Sequence, residues 1–121
     1  QQLKPLEVEV IVAEVGDDTL AGHEKNAIYR VQFDGSISDH DEFCVIGGAA
    51  EELGSLLRSE YRDGLPLRDA LLLGYRALQR AADREPNVTA DNLEVCLLER
   101  HRSGRKFRRL DTDTLREHLG T

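Results

Sequence analysis

The chain has 121 residues, of which 40% are apolar and 32% charged, and its formal net charge is -7 at pH 7. This length fits one domain, so we expect residues 1–121 to form a single domain with a modest core. An acidic chain repels the phosphates of nucleic acids and anionic lipids, and no apolar run approaches membrane-spanning length. We therefore expect a cytoplasmic protein that binds neither nucleic acid nor membrane and whose partners are proteins.

Three segments near the start of the chain have strand patterns. Leu6–Val15 begins with alternating apolar and acidic residues and then becomes apolar on both faces, which predicts a strand buried on both sides. Ala27–Phe33 alternates and is followed by Asp34 and Gly35, a tight-turn signal. Phe43–Ile46 is apolar or cysteine at every position and predicts a third, buried strand.

After Gly48 the apolar residues recur with a period of about 3.6, which predicts helices. One helical stripe spans Ala49–Tyr61, and a second, longer stripe spans Leu67–Ala82. Gly64 and Pro66 lie between them and break the pattern, with the proline suited to the start of the second helix. We therefore expect two adjacent helices.

The rest of the chain predicts a hairpin and a short helix. Leu93–Glu99 and Arg105–Leu110 flank a turn at Arg102–Gly104. Thr112 is a candidate cap for the last helix. The predicted order is β-β-β-α-α-β-β-α. Two adjacent helices between groups of strands predict an α+β fold with antiparallel pairing, because no regular βαβ alternation is present to build a parallel sheet.

The junction before the first helix contains two glycines, Gly47 and Gly48. Glycines at a strand-to-helix turn either cradle a phosphate or let two elements pack closely. Glu51 and Glu52 occupy the first helical turn, where they suit the helix dipole and repel an anion. A nucleophile elbow would need serine or cysteine at the apex, which is absent. We interpret the junction as a packing turn.

Side chains that commonly bind metals occur in the segment Asp39–Glu42 and in two cysteines. Neighbours in an extended segment point in opposite directions, so we expect Asp39–Glu42 to be a solvated loop and not a metal site. Cys44 and Cys96 each lie in an apolar run and predict buried free thiols. We assign no catalytic residue, no cofactor-binding residue and no metal ligand to the chain.

Arg100–Arg109 concentrates seven basic residues, counting His101, in an otherwise acidic chain. The segment has two interpretations: it binds RNA, with Phe107 stacking on a base, or it faces an acidic neighbouring protein subunit. One aromatic residue in a short hairpin is a weak platform for bases, and the acidic net charge also disfavours nucleic acid.

Four segments together resemble the C-terminal half of a proteasome α-type subunit, and most closely the actinobacterial branch. They are YRVQFDGSI, VIGGAAEELGSLLRSEYRDGLPLRDAL, NVTADNLEVCLLE and FRRLDTDTLREHL, and they occur in the family order through the whole chain. The chain contains no methionine. We therefore expect about half of such a subunit to be absent, including its N-terminal gate and its first strands and helices.

The resemblance implies a partial αββα sandwich of the N-terminal-nucleophile hydrolase type and a noncatalytic subunit. In the catalytic β-type relatives, a Ser-Gly-Ser element lies near the catalytic threonine, and the matching positions here are Gly48–Ala50. The β-type Asp-x-x-Ser-Gly element matches Pro86–Ala90, which keeps a hydroxyl at Thr89 and loses the carboxylate. The chain begins with Gln1, so we expect no threonine amine to act as nucleophile and base.

The resemblance also implies partners and leaves alternatives open. The family's α-type subunits form heptameric rings that gate a proteolytic chamber, contact other α and β subunits and dock a regulatory ATPase. Absence of half a subunit would expose apolar sheet surfaces, so we expect the isolated chain to form a homo-oligomer, most simply a dimer. The alternatives are a fragment of a β-type or HslV-like threonine peptidase and an unrelated α+β module that binds protein or RNA.

Overall fold

The computed structural model describes residues 8–16, 26–81 and 88–120. Contacts within the chain divide it into two compact units, Gln1–Ile46 and Gly47–Thr121, and each unit is described by itself. Our expectation of one domain across residues 1–121 stays a prediction.

The first unit contains a three-stranded antiparallel sheet. Its strands, in chain order and in spatial order, are β1 (Val10–Glu14), β2 (Ala27–Val31) and β3 (Ile37–His40). Val12 lies opposite Tyr29, and Tyr29 lies opposite Asp39. The predicted turn before β3 is confirmed: Gly35 has φ of 89° and its amide donates a hydrogen bond to the Gln32 carbonyl at 2.9 Å. The turn brings β3 back alongside β2.

The predicted third strand is wrong in its position. Phe43–Ile46 lies outside the strands and is half-buried, whereas Ile37–His40 pairs with β2. The physical reason is the turn at Gly35, which reverses the chain so that the residues directly after it meet the free edge of β2. An apolar run alone does not identify a pairing partner.

The expectation that β1 is buried on both sides is also wrong for the described residues of the first unit. Val10, Ile11 and Val12 are 43%, 38% and 48% exposed. Among the described residues of this unit, no apolar side chain belongs to a buried core. The sheet therefore presents apolar side chains to solvent.

The second unit combines three helices with a hairpin. Its elements are α1 (Ala50–Glu60), α2 (Leu67–Ala81), a 3-10 helix (Ala90–Asn92), β4 (Cys96–Leu98), β5 (Phe107–Arg109) and α3 (Thr112–Leu119). The predicted α+β class with antiparallel strands is confirmed. The order along the chain differs from the prediction by the 3-10 helix and by the position of the third strand.

The core of the second unit gathers around α3. The buried residues that form it are Ala90, Leu110, Leu115 and Leu119. Side chains from α2 and from the segment leading into the hairpin pack against this cluster, namely Leu71, Leu72, Tyr75, Leu93, Val95 and Leu97. Elsewhere α1 packs on α2, and Ala77 of α2 is almost fully buried. The hairpin is thus anchored at its base to α2 and α3.

The last helix begins at its predicted cap residue, Thr112, one residue earlier than predicted. Asp111, not Thr112, is the N-cap, and its carboxylate accepts a hydrogen bond from the Thr114 amide at 2.8 Å. Both residue types cap helices well, and Asp111 is the one with extended backbone geometry. Gly120 ends the helix in the left-handed conformation, with φ of 74°.

Candidate functional site

The junction before α1 contains one glycine whose backbone angle favours that residue type. Gly47 has φ of 114°, a conformation that favours glycine. A Cβ added to Gly47 or to Gly48 would meet no atom of the described residues within 4 Å. Gly47 is therefore needed for its backbone angle, and the interpretation of a packing turn stays a prediction.

The surface beside this junction carries acidic side chains. A depression there is lined by Gly48, Ala49, Glu51, Glu52, Ser55 and Arg58. Glu51 and Glu52 lie in the first turn of α1 and are exposed, so they repel an anion at the helix start. The hydroxyl in this lining belongs to Ser55, and the lining contains no histidine to activate it.

Thr89, the hydroxyl expected within Pro86–Ala90, caps the 3-10 helix. Its Oγ1 accepts a hydrogen bond from the Asp91 amide at 3.3 Å, and its own amide donates to the Asn92 side chain at 2.8 Å. Thr89 and Asn92 form a capping box, in which the side chain of each accepts a hydrogen bond from the backbone amide of the other. The hydroxyl therefore has a structural partner, while Pro86 and Asn87 lie outside the described residues.

The acidic segment, which we define as residues 34–42, lies at the β3 edge of the first unit. Asp34, Asp39, Asp41 and Glu42 are all exposed. Asp34 accepts hydrogen bonds from the Ser36 side chain at 2.7 Å and the Ser36 amide at 2.9 Å, which lower the pKa of its carboxyl. Among the residues that the structure describes, no cluster of metal-binding side chains is found. Asp39, Asp41 and Glu42 are exposed, but the predicted loop is wrong for Asp39 and His40, which lie in β3.

The hairpin stem neutralises its own charges. The predicted hairpin is confirmed, with Cys96 opposite Arg109. The Arg108 side chain forms an ion pair with Glu99 at 2.5 Å, and Arg109 forms one with Glu94 at 2.9 Å. Basic residues of β5 are therefore matched by acidic residues of the same hairpin.

The hairpin tip, which we define as residues 100–106, is ordered by one lysine. Lys106 Nζ donates hydrogen bonds to the carbonyl oxygens of Arg100 and Arg102, each at 2.6 Å. The Arg105 guanidinium lies 5.5 Å from the centroid of the Phe107 ring. The basic residues are evident in the sequence but this arrangement is not, because a pattern does not show which amine folds back onto the backbone.

The sheet of the first unit presents apolar residues on both faces. Directly opposite residues of antiparallel strands point to the same face. Most of the large side chains on one face are apolar, with Ile37 66% exposed, and two carboxylates lie among them. This face carries Val10, Val12, Glu14, Tyr29, Val31, Ile37 and Asp39. The other face carries Ile11, Ala13 and Ile28 together with an ion pair between Arg30 and Glu9 at 2.8 Å.

Both cysteines are free, as predicted, but they differ in exposure. Cys44 is half-buried, and burial raises the pKa of its thiol. Cys96 is exposed on β4, so its predicted burial is wrong. The three-residue strand β4 turns alternate side chains outward, which the apolar run did not reveal.

Comparisons with known proteins agree with the resemblance in the sequence. The family model described as "Proteasome subunit" matches residues 1–98. The proteasome subunit alpha of Frankia alni is 41% identical over 98% of this chain and 50% of its own length. Those of Thermobifida fusca and Streptosporangium roseum are 40% and 45% identical, over 96% and 91% of this chain and 45% and 40% of their own lengths.

The chain thus spans about half the length of the curated relatives it matches. Within the described residues, no helix is long and apolar enough to cross a membrane. The family match covers most of the chain, and the similarity to actinobacterial alpha subunits extends over nearly all of it. The chain belongs to the proteasome subunit family.

Proposed function

We propose that the chain is part of a noncatalytic α-type subunit of the proteasome core particle. Rings of such subunits would gate the entry of substrates for ATP-dependent protein degradation in the cytoplasm. Its partners would be other α-type subunits, β-type subunits and a regulatory ATPase. The observation that carries the proposal is the sheet of the first unit, which exposes apolar side chains on both faces.

A sheet that exposes apolar side chains on both faces needs a covering layer on each side. Small isolated sheets are marginally stable in water, and burial of an apolar face supplies the missing stability. An αββα sandwich of the N-terminal-nucleophile hydrolase type provides a second sheet on one face and helices on the other. The relatives are about twice as long as the matched region, which is enough chain for these layers.

The glycine junction and Thr89 support a noncatalytic role. Threonine peptidases need a nucleophile with a nearby base, and hydroxyl-bearing elements assist it in the β-type relatives. Gly48–Ala50 carries no hydroxyl or thiol, and the Thr89 hydroxyl caps the 3-10 helix. All three alpha-subunit relatives described above carry the name of the α-type class.

The proposal is tested by placing this chain in a complete subunit. The matching region of the Frankia alni alpha subunit is replaced by residues 1–121, and the chimera is co-expressed with a catalytic β-type subunit. We expect a high-mass particle by native mass spectrometry. An inhibitor directed at N-terminal threonines should label the β-type subunit only.

A matched pair of variants tests whether the exposed apolar side chains of the sheet are buried on assembly. Val12→Lys places a charge on the apolar sheet face and should prevent assembly, because a buried, unpaired ammonium is costly. Glu14→Lys introduces the same side chain at a position on the same strand that is already charged, and it should assemble. Labelling of the chimera, or a particle that tolerates Val12→Lys, would refute the proposal.

A further inference from the structure

The positive charge of the hairpin is concentrated at its tip. In the stem, Arg108 and Arg109 are paired with Glu99 and Glu94. Arg102 and Arg105 of the tip are exposed, and no ion pair with an acidic residue is found for either within the described part of the chain. Ion pairing within the stem therefore does not neutralise the tip.

The tip is also held in one geometry. Besides the two bonds from Lys106 Nζ, the Glu99 amide donates to the Lys106 carbonyl at 2.9 Å, and the Arg102 amide donates to the Glu99 carbonyl at 3.2 Å. A loop fixed in this way loses less conformational entropy on binding than a flexible one. The arginines are thus presented on a prearranged backbone.

The aromatic residue of the hairpin is poorly placed for stacking on a nucleobase. The Arg105 guanidinium covers the Phe107 ring at a centroid distance of 5.5 Å. Single-stranded nucleic acids bind through exposed aromatic faces together with a basic groove. The Phe107 side chain is still 43% exposed, but a single ring with a cation over one face is a weak platform for bases. The two exposed arginines therefore favour carboxylates of a protein as the ligand of this tip.

The complementary surface is present on the chain itself. The acidic segment, residues 34–42, holds four carboxylates and no lysine or arginine. Among the described residues, Asp39, Asp41 and Glu42 form no ion pair, and all three are exposed. The segment includes β3, which pairs on one side with β2 and forms an outer edge of the sheet. Within the described residues, its carboxylates are therefore accessible and carry a charge that no ion pair offsets.

We propose that the hairpin tip of one copy binds the acidic segment of a second copy. The inference extends the proposed function, because it names a contact between copies of the same subunit. The two surfaces differ, so the contact is heterologous and generates a ring if the rotation closes. Exposed charges of opposite sign would set the register of neighbouring copies and speed their encounter.

The contact is tested by recovering untagged chain with a tagged copy over a range of salt concentrations. Raising the ionic strength from about 0.05 M to about 0.5 M screens exposed charges and should lower recovery, whereas apolar association through the sheet is not weakened. Reversal of both tip arginines, Arg102→Glu with Arg105→Glu, should weaken association about tenfold. The control Arg109→Gln removes a charge already paired in the stem and should change little.

A charge swap separates binding from folding. Asp39→Lys with Asp41→Lys in the acidic segment should also abolish salt-sensitive recovery, and circular dichroism verifies that each variant is folded. Mixing the two reversed variants should restore recovery, because the glutamates of one then meet the lysines of the other. The inference would be overturned if recovery of the parent chain did not depend on salt, or if the mixture of the two reversed variants did not restore recovery.

The same variants also test whether the hairpin tip binds nucleic acid. If labelled single-stranded RNA binds the parent chain and not the tip variant, while recovery of the untagged copy is unchanged, the tip is a nucleic-acid surface and the inference is wrong. These outcomes do not depend on the threonine labelling that tests the proposed function. Failure of either proposal is therefore distinguishable from failure of the other.

Discussion

The core of the second unit gives a sharp test through Leu115→Ala. Leu115 is 1% exposed and packs in the cluster with Ala90, Leu110 and Leu119. Truncation removes three carbons from a closed environment and leaves a cavity, which costs about 2 to 5 kcal/mol in comparable cores. With a urea dependence of about 1.5 kcal/mol per M, the unfolding midpoint should fall by about 1.5 to 3 M.

The same truncation at Leu67 is the matched control. Leu67 begins α2 and is 40% exposed, so Leu67→Ala loses part of the transfer free energy and opens no cavity. We expect Leu67→Ala to lower the free energy of unfolding by about 1 kcal/mol, which lowers the urea midpoint by roughly 0.7 M. Both variants are compared by circular dichroism in urea. Equal shifts for Leu115→Ala and Leu67→Ala would refute the assignment of the core to α3.

Three further outcomes are expected. Gly47→Ala should lower the free energy of unfolding by about 1 to 2 kcal/mol because φ of Gly47 is 114°. In the same denaturation assay, Gly48→Ala should change that free energy by no more than about 0.5 kcal/mol. The hydrogen bond from the Thr114 amide lowers the pKa of the Asp111 carboxyl below 3.8. The ionised carboxylate therefore stabilises the fold above about pH 4, and this stabilisation is lost as the pH falls through the lowered pKa. Asp111→Asn should make the urea midpoint depend less on pH in the acid range. The isolated chain should self-associate in light scattering, and Val12→Lys should reduce its mass toward that of a monomer.

The helices were predictable because each has an apolar stripe that a core can bury. The stripe of Ala49–Tyr61 matches α1 (Ala50–Glu60), and that of Leu67–Ala82 matches α2 (Leu67–Ala81). Helix periodicity is local, since every hydrogen bond closes within four residues. The cap of α3 was misplaced by one residue because Asp111 and Thr112 are both good caps, and the sequence does not show which one has extended geometry.

The sheet was less predictable because a strand depends on its neighbour. Ile37–His40 contains two polar residues and a histidine, and it forms a strand because β2 is adjacent after the turn. Phe43–Ile46 has stronger strand propensity but lies outside the strands of the described residues. Propensity in sheets reflects packing and pairing more than an intrinsic backbone preference.

For the candidate site, residue identities were predictable from the sequence and the backbone geometry was not. Missing hydroxyls at Gly48–Ala50 were visible in the sequence, because that inference depends on residue identity alone. The backbone angle of Gly47 and the Lys106 bonds to two carbonyls were not visible, because both depend on the path of the backbone.

The two thiols differ in exposure, so Cys96 can be labelled selectively. Thiolate is the reactive form, and burial raises the pKa of Cys44, so less thiolate is present there at neutral pH. Cys96 is exposed on the hairpin stem, at the base of the segment that ends in the tip. A substoichiometric maleimide dye should therefore attach first at Cys96, and its fluorescence anisotropy would report the tumbling of the hairpin without any substitution in the chain.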